Sequence, residues 1–251
     1  MSAKFFDDLT DVYEASIDWP RRLANEQGLF RWIFDRVGAG RVLDAACGTG
    51  RHAAMFHSWG LQVEGADLSP NMIDRCRQTH GQPPGLHWTI RGFDQPIDAP
   101  GSFDAAICIG NSLALAGSKE MAGAAVQNML AAVRKGGAVV IQVANAWSLP
   151  DGEPLWQKSI RARLPRGDCL IIKGIRRRGN KGYVDLLVTR LDASTGPELA
   201  SECVPFLALD AAELQRAAKN GGAAKVEVYG NYRRDEYVRE HSADLVLIAI
   251  K

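Results

Sequence analysis

Nowhere in this chain of 251 residues do two cysteines stand as a C-x-x-C pair, and the five present, Cys47, Cys76, Cys108, Cys169 and Cys203, are scattered. An odd, scattered set excludes a zinc ribbon and speaks against a disulfide scaffold, so no metal is expected and the thiols read as small apolar side chains. Charge of one sign is missing too. The 30 Lys and Arg oppose 29 Asp and Glu, a net +1, without the basic stripe that nucleic-acid binding needs. The one local concentration, Arg176-Arg177-Arg178, reads as the solvated tip of a hairpin. No apolar run nears the ~18 residues of a membrane span, and residues 1–8 carry acids where a secretion signal needs an apolar stretch. The expectation is a cytoplasmic protein acting on a small molecule, with no nucleic-acid or membrane partner, as a monomer or homo-oligomer. A hydrophobic content of 46% at this length suits one large α/β domain with an insertion.

The most specific stretch present is Arg41-Val42-Leu43-Asp44-Ala45-Ala46-Cys47-Gly48-Thr49-Gly50, followed downstream by Asp67. Residues 41–46 suit a buried parallel strand, and Gly48 and Gly50 let the chain turn sharply into a helix from Arg51, where a ligand can approach bare backbone. The next apolar run, 61–66, ends in Asp67, whose carboxylate at a neighbouring strand tip suits the two hydroxyls of a ribose. Gly48, Gly50 and Ala53 also satisfy the G-x-G-x-x-G/A pattern of a dinucleotide turn. Asp44 separates the readings. Placed before the first glycine, its carboxylate would repel a pyrophosphate at the helix N-terminus, whereas the zwitterionic tail of S-adenosylmethionine (SAM) tolerates it. SAM is the expected cofactor, with S-adenosylhomocysteine as product, and a nicotinamide-dependent oxidoreductase is the alternative.

Apolar residues Leu29, Phe30, Ile33, Phe34 and Val37 predict a helix over 21–37, ended by Gly38 and Gly40. The helix after the glycine turn buries Met55, Phe56 and Trp59 and stops at Gly60, and Ser69-Pro70 opens a third. Strands at 86–90 and 105–109, a helix at 119–133, a turn at Lys135-Gly136-Gly137 and a strand at 138–144 continue an alternation that implies a parallel sheet with right-handed crossovers. Four strand-like runs follow, 156–164, 169–177, 183–191 and 199–209, with a turn at 178–182 and no helical period. A helix at 210–220 precedes strands at 225–229 and 244–250, joined by a segment too short and polar for a crossover and therefore read as a hairpin. The predicted fold class is α/β, a Rossmann-like seven-stranded mostly parallel sheet with an antiparallel β insertion before the last helix. Its parts are an arm and helix capping the cofactor site (1–40), the cofactor-binding core (41–150), the insertion (151–209), and the last helix with the terminal hairpin (210–251).

The cofactor-loop segment, a second segment Phe103-Asp104-Ala105-Ala106-Ile107-Cys108-Ile109-Gly110-Asn111-Ser112 and the β-rich insertion make the chain similar, over nearly its whole length, to class I SAM-dependent methyltransferases. Within them it resembles the glycine N-methyltransferase-like group. The resemblance implies that Ala46 and Gly48 border the methionine moiety, Asp67 binds the ribose, and Leu68, Met72, Phe93 and Asp94 lie by the adenine. It places Asp44, Gly50 and Ile109 in the same cofactor set, and Arg22, by its spacing before Asp44, on the SAM carboxylate. One departure stands out: where the glycine enzymes carry an arginine at the end of strand five, this chain has Ala144. Glycine is therefore expected to be a poor acceptor, with Arg161, Arg163 and Arg176 as the cations of the insertion that could compensate.

The implied activity is methyl transfer to a small-molecule acceptor, at nitrogen rather than oxygen. An unprotonated amine attacks SAM directly, whereas a hydroxyl needs a base or metal, and His52 and His241 show no sequence partner. Candidate acceptor-site residues are Tyr13 and Trp19, in the segment that would fold over the cofactor, Asn111, Asn145 and Trp147 at strand ends, and Tyr232 in the last hairpin loop. A SAM-binding sensor or subunit without catalysis is the second alternative.

Overall fold

The structure, a computed structural model, describes residues 10–97, 100–165, 167–191 and 199–251. The acidic residues 1–8 lie outside the described residues. Helix α1 (Trp19–Val37) opens on Asp18, whose carboxylate accepts the Arg21 N–H, and closes on Gly38 at φ 61°. Asp18 and Pro20 thus start the helix two residues before its apolar stripe indicates. Strand β1 (Arg41–Asp44) leads into the glycine turn and α2 (Arg51–Ser58), and β2 (Gln62–Asp67) into α3 (Pro70–His80), which Ser69 caps by accepting the Met72 N–H. Strands β3 (Leu86–Ile90) and β4 (Phe103–Cys108), helix α4 (Lys119–Ala132) and strand β5 (Val133–Ala144) complete the alternating part.

Residues 135–137 do not form a turn before β5. They make an excursion within it, where the partner of Phe103 is Val133 but that of Ala105 is Ala138. The C-terminal residue holds the excursion in place: Gly136 N–H donates to the Lys251 carbonyl at 2.7 Å and Lys251 N–H to the Gly137 carbonyl at 3.0 Å. No window of local sequence shows a bond to the far end of the chain.

After the insertion come α5 (Ala211–Asn220), β10 (Lys225–Tyr229) and β11 (Asp244–Ile250). The seven strands run in the order β10-β11-β5-β4-β1-β2-β3, and all neighbours are parallel except the pairs made by β11. Strand order reverses between β1 and β4, so the loops after these two strands diverge and leave a crevice at their carboxyl ends. Apolar layers cover both faces. Leu29, Phe30, Ile33 and Phe56 pack on one side and Val126, Met129, Leu130 and Leu214 on the other.

The insertion is a separate antiparallel sheet in the order β6 (Leu155–Leu164), β7 (Gly167–Arg178), β8 (Lys181–Arg190) and β9 (Leu199–Leu207). The β7–β8 hairpin is tighter than its sequence suggests, with Arg178 paired to Lys181 around Gly179 at φ 60°. Arg176 and Arg177 consequently lie in the strand rather than in a solvated tip: Arg176 holds Asp185 at 2.7 Å and Arg177 holds Asp151 at 3.0 Å.

Candidate cofactor and acceptor site

The crevice between β1 and β4 opens into a cavity of about 290 Å³ that continues under the insertion. Its cofactor-loop end is built by short-range constraints. Gly48 adopts φ 53° and Gly50 φ 79°, which turn the chain from β1 into α2. Asp67, at the end of β2, accepts the Gly48 N–H through one carboxylate oxygen and the Ser69 N–H through the other, both at 2.9 Å. The carboxylate is thereby held against the turn. Across the switch point, Gln142 Oε1 accepts the Gly110 N–H at 2.8 Å while Gln142 Nε2 donates to Asp244 at 2.7 Å, tying the turn after β4 to β5 and β11. Asn111 sits in that turn at φ 69°, a backbone region an Asn tolerates better than other side chains, and its Oδ1 accepts the Ala144 N–H.

Of the residues expected at the cofactor, Arg22, Asp44, Ala46, Gly48, Asp67, Leu68, Met72, Phe93, Asp94 and Ile109 line this cavity. Gly50 does not. It lies behind the turn, where an added Cβ would stand 2.6 Å from the Trp88 ring and 2.9 Å from Cys76 Sγ. Asp44 is nearly inaccessible, and its Oδ1, like the indole nitrogen of Trp19, is buried without a hydrogen-bond partner. Burial pushes the Asp44 carboxyl up to about 7, with Asp67 adding to the rise and a backbone hydrogen bond at Ala46 and the Arg22 charge opposing it. Such an orphaned acceptor on a cavity wall matches a ligand that brings an ammonium group.

Tyr13, Trp19 and Asn111, three of the acceptor candidates, line the same cavity. The other three do not reach it. Asn145 fastens β5 to the last loop, donating to the carbonyls of Arg239 and Ser242 at 2.8 Å each and accepting from the Trp147 N–H and the Tyr237 hydroxyl. Trp147 donates to the Leu209 carbonyl and is stacked by Arg177 and Arg239. Tyr232 is buried beside Phe30, behind α1. Asn145 and Trp147 follow a strand end at the crevice, but their side chains meet loop segments that no sequence rule places there, and the side chain of Tyr232 meets α1.

The structure adds residues the sequence reading passed over. Cys47, Ser112 and Leu115 line the cavity beside Ala144, and the inner face of the insertion closes it with Lys173, Ile175, Val184, Leu186 and Val204. Their signal was the period-two face of β7, on which Lys173 interrupts Ile171 and Ile175. Arg161 and Arg163 instead pair with Asp168 on the outside, with side chains 70% and 85% exposed, and Arg176 is held by Asp185. His52 also lines the cavity, and it has a partner after all: its Nε2 lies 2.6 Å from Glu26 Oε2. Arg22 and Glu26, four apart on one helix, were the available clue. Among the described residues, no group of three or more His, Cys, Asp or Glu side chains is placed to hold a metal, and no helix is long and apolar enough to cross a membrane.

The profile of a family described as a methyltransferase domain matches residues 42–137. A glycine/sarcosine N-methyltransferase of Parasynechococcus marenigrum is 36% identical over 111 residues, which is 43% of this chain and 39% of that protein. Human glycine N-methyltransferase is 33% identical over 164 residues, 57% of this chain and 55% of that protein. The matched region thus spans roughly half the length of these relatives or less. A SAM-bound amino pentose methyltransferase of Micromonospora echinaspora superposes with a TM-score of 0.72 at 22% identity, covering 96% of this chain and 97% of its own. The glycine turn, the switch-point cavity and these likenesses agree: residues 42–137 match a methyltransferase domain, and the chain is similar in sequence to glycine N-methyltransferases and in fold to a SAM-bound methyltransferase.

Proposed function

We propose that this protein binds SAM at the glycine-turn end of the cavity and transfers its methyl group to the nitrogen of a small amine held beneath the insertion. Continuity carries the reading: a single cavity joins Gly48 and Asp67 to Lys173, Ile175, Val184, Leu186 and Val204. When bound, SAM supplies a methyl group activated by the sulfonium. The chain's own residues hold and desolvate the reactants. In this reading Asp67 accepts from the ribose hydroxyls, Leu68, Met72 and Phe93 flank the adenine, Arg22 meets the carboxylate and Asp44 the ammonium. Tyr13 and Trp19 keep water from the reacting end. A Cβ on Gly48 would stand 3.7 Å from the Tyr13 hydroxyl, and Trp19 packs edge-on to Tyr13 at 6.1 Å.

Nitrogen is favoured over oxygen because an unprotonated amine requires no base, and because the matched relatives are N-methyltransferases. The acceptor end combines four aliphatic side chains with one cation, Lys173. An amine on an apolar frame, with any anionic group at the far end from its nitrogen, would cover those walls. Glycine would cover little of them, and its carboxylate would find Ala144 on the β5 side.

A turnover screen tests this directly, comparing glycine and sarcosine with apolar amines, amines bearing a distal carboxylate, and phenols, with S-adenosylhomocysteine release as the readout. Efficient glycine methylation, or exclusive use of phenols, would reject the acceptor reading. SAM binding without turnover across the panel would favour a non-catalytic role, and binding of NADH in place of SAM an oxidoreductase.

A further inference from the structure

Behind the cavity wall lies a buried carboxylate, Glu26, that the proposed chemistry does not itself use. Glu26 is 5% exposed and bridges two wall residues with its two carboxylate oxygens: Oε1 accepts from Arg22 Nε at 2.9 Å, and Oε2 lies 2.6 Å from His52 Nε2. Arg22 belongs to α1 and His52 to the first turn of α2, so this one carboxylate couples the N-terminal helix to the glycine turn. The guanidinium is confined elsewhere as well. Its Nη2 lies 3.1 Å from where a Cβ on Gly110 would be, and it stacks on Trp19 at 5.3 Å. His52 is wedged among Trp19, Phe30 and Phe56, with ring centroids at 6.1, 5.9 and 6.2 Å.

Burying Glu26 costs several kcal/mol of desolvation, and for stability alone an apolar side chain of similar volume would serve as well. What the carboxylate adds is orientation. With Nε bonded to Glu26, the terminal nitrogens of Arg22 turn to the hydroxyls of Tyr232 and of Tyr13, the latter on the cavity wall. The Arg22 and His52 hydrogen bonds hold Glu26 ionised although its burial opposes this. A carboxylate only accepts, so the proton between Glu26 and His52 sits on His52 Nε2. That nitrogen is therefore a donor locked away from any acceptor substrate.

We infer that Glu26 and His52 are positioning residues that fix the Arg22 guanidinium for the SAM carboxylate; the inference rests on the SAM reading given above. His52 restrains Glu26, Glu26 restrains Arg22, and the cofactor would feel the chain only through its carboxylate.

The experiment compares Kd for SAM and for decarboxylated SAM, by calorimetry on the intact protein, in Arg22→Ala, Glu26→Gln, His52→Ala and His52→Gln. Arg22→Ala is expected to weaken SAM by about tenfold or more and decarboxylated SAM much less, as for loss of a charged hydrogen-bond pair. Glu26→Gln and His52→Ala should reproduce the same carboxylate-dependent loss at a smaller factor. His52→Gln, whose amide nitrogen replaces Nε2 as donor, should recover part of it. A merely structural role would weaken both ligands equally, and that result, or no loss at all, overturns the inference. Should Arg22→Ala itself fail to discriminate the ligands, the assignment of Arg22 to the SAM carboxylate falls instead.

Discussion

The two sheets of this molecule handle side chains in opposite ways. In the seven-stranded sheet, β1, β4, β5 and β11 are buried on both faces, and Val42, Leu43, Ala106, Ile107 and Ile141 have no measurable accessibility. In the insertion only one face of the sheet is covered, and Leu155, Trp156 and Leu199 stand 52%, 51% and 65% exposed on it or at its edge. The first sheet borders the cavity with backbone turns at strand ends. The second contributes side chains from the middle of its strands. A site made of turns tolerates little change in shape, while a site made of side-chain faces can be re-tailored one residue at a time.

Two glycines expose this contrast most sharply. Gly50→Ala would force a left-handed backbone and a Cβ into Trp88 and Cys76, both buried, so a loss of roughly 3–5 kcal/mol is expected from strain and overpacking together. Gly174→Ala in the insertion would put a Cβ 2.8 Å from the Trp156 ring, but that ring is half-exposed and can swing aside, so less than about 1 kcal/mol is expected. Urea denaturation of the two variants reads the difference. Equal losses would show that the insertion is packed as tightly as the core.

The same contrast explains what was legible. Asp44, Gly48 and Asp67, expected together from strand-end and glycine-turn signatures, line one cavity because a parallel sheet brings those ends to one edge. Leu68, Met72, Phe93 and Asp94 came with the family likeness and follow the same strand ends. Lys173, Ile175, Val184, Leu186 and Val204 were not named, because alternation shows that a strand has two faces but not which one docks on the core. Asn145, Trp147 and Tyr232 failed for a related reason. The loop 230–243 folds back onto Asn145 and Trp147, through the Arg239 carbonyl, the Tyr237 hydroxyl and the Arg239 guanidinium, and carries Tyr232 itself inward onto Phe30. The Glu26–His52 bond spans 26 residues between two helices, and only the i, i+4 pairing of Arg22 with Glu26 was within reach of local reasoning.

In the core, Asp67→Ala should weaken SAM by about 1–3 kcal/mol, since a fixed carboxylate accepting from hydroxyls is lost. The variant also releases the Gly48 and Ser69 N–H groups, so binding should be compared at matched folded fraction by calorimetry. Unchanged affinity in a folded variant would remove Asp67 from the cofactor site.

Asp44 predicts a pH dependence. Its carboxyl titrates near 7 in the fold against an ordinary 3.8, chiefly through burial, so between those values the folded state binds more protons than the unfolded one. Stability contributed by this group therefore falls as pH rises from about 4 to about 7, by ~4 kcal/mol in total, and stays level above. Cofactor binding runs the other way. An ammonium is drawn to the ionised carboxylate, so SAM affinity should rise about tenfold per pH unit up to about 7 and then flatten, with proton release on binding below that point. Asp44→Asn should abolish both the slope and the proton release, measured by calorimetry in buffers of different ionisation enthalpy.

The smallest effects should come from the insertion, and there they should depend on the face. Lys173→Met keeps most of the side chain's bulk but removes its charge, so KM for an amine with a distal carboxylate should rise about tenfold while SAM affinity stays unchanged. The apolar amines of the screen should be unaffected or improved. Arg163→Ala, on the opposite side of the sheet, removes a cation that is 85% exposed and only 3.9 Å from Asp168 at its nearest, a pair worth little in water. Its effect on stability should stay within about 0.5 kcal/mol and its effect on turnover should be nil. If the two variants behaved alike towards charged and uncharged acceptors, the inner face of the insertion would not be the acceptor wall, and the division of labour between the two sheets would have to be abandoned.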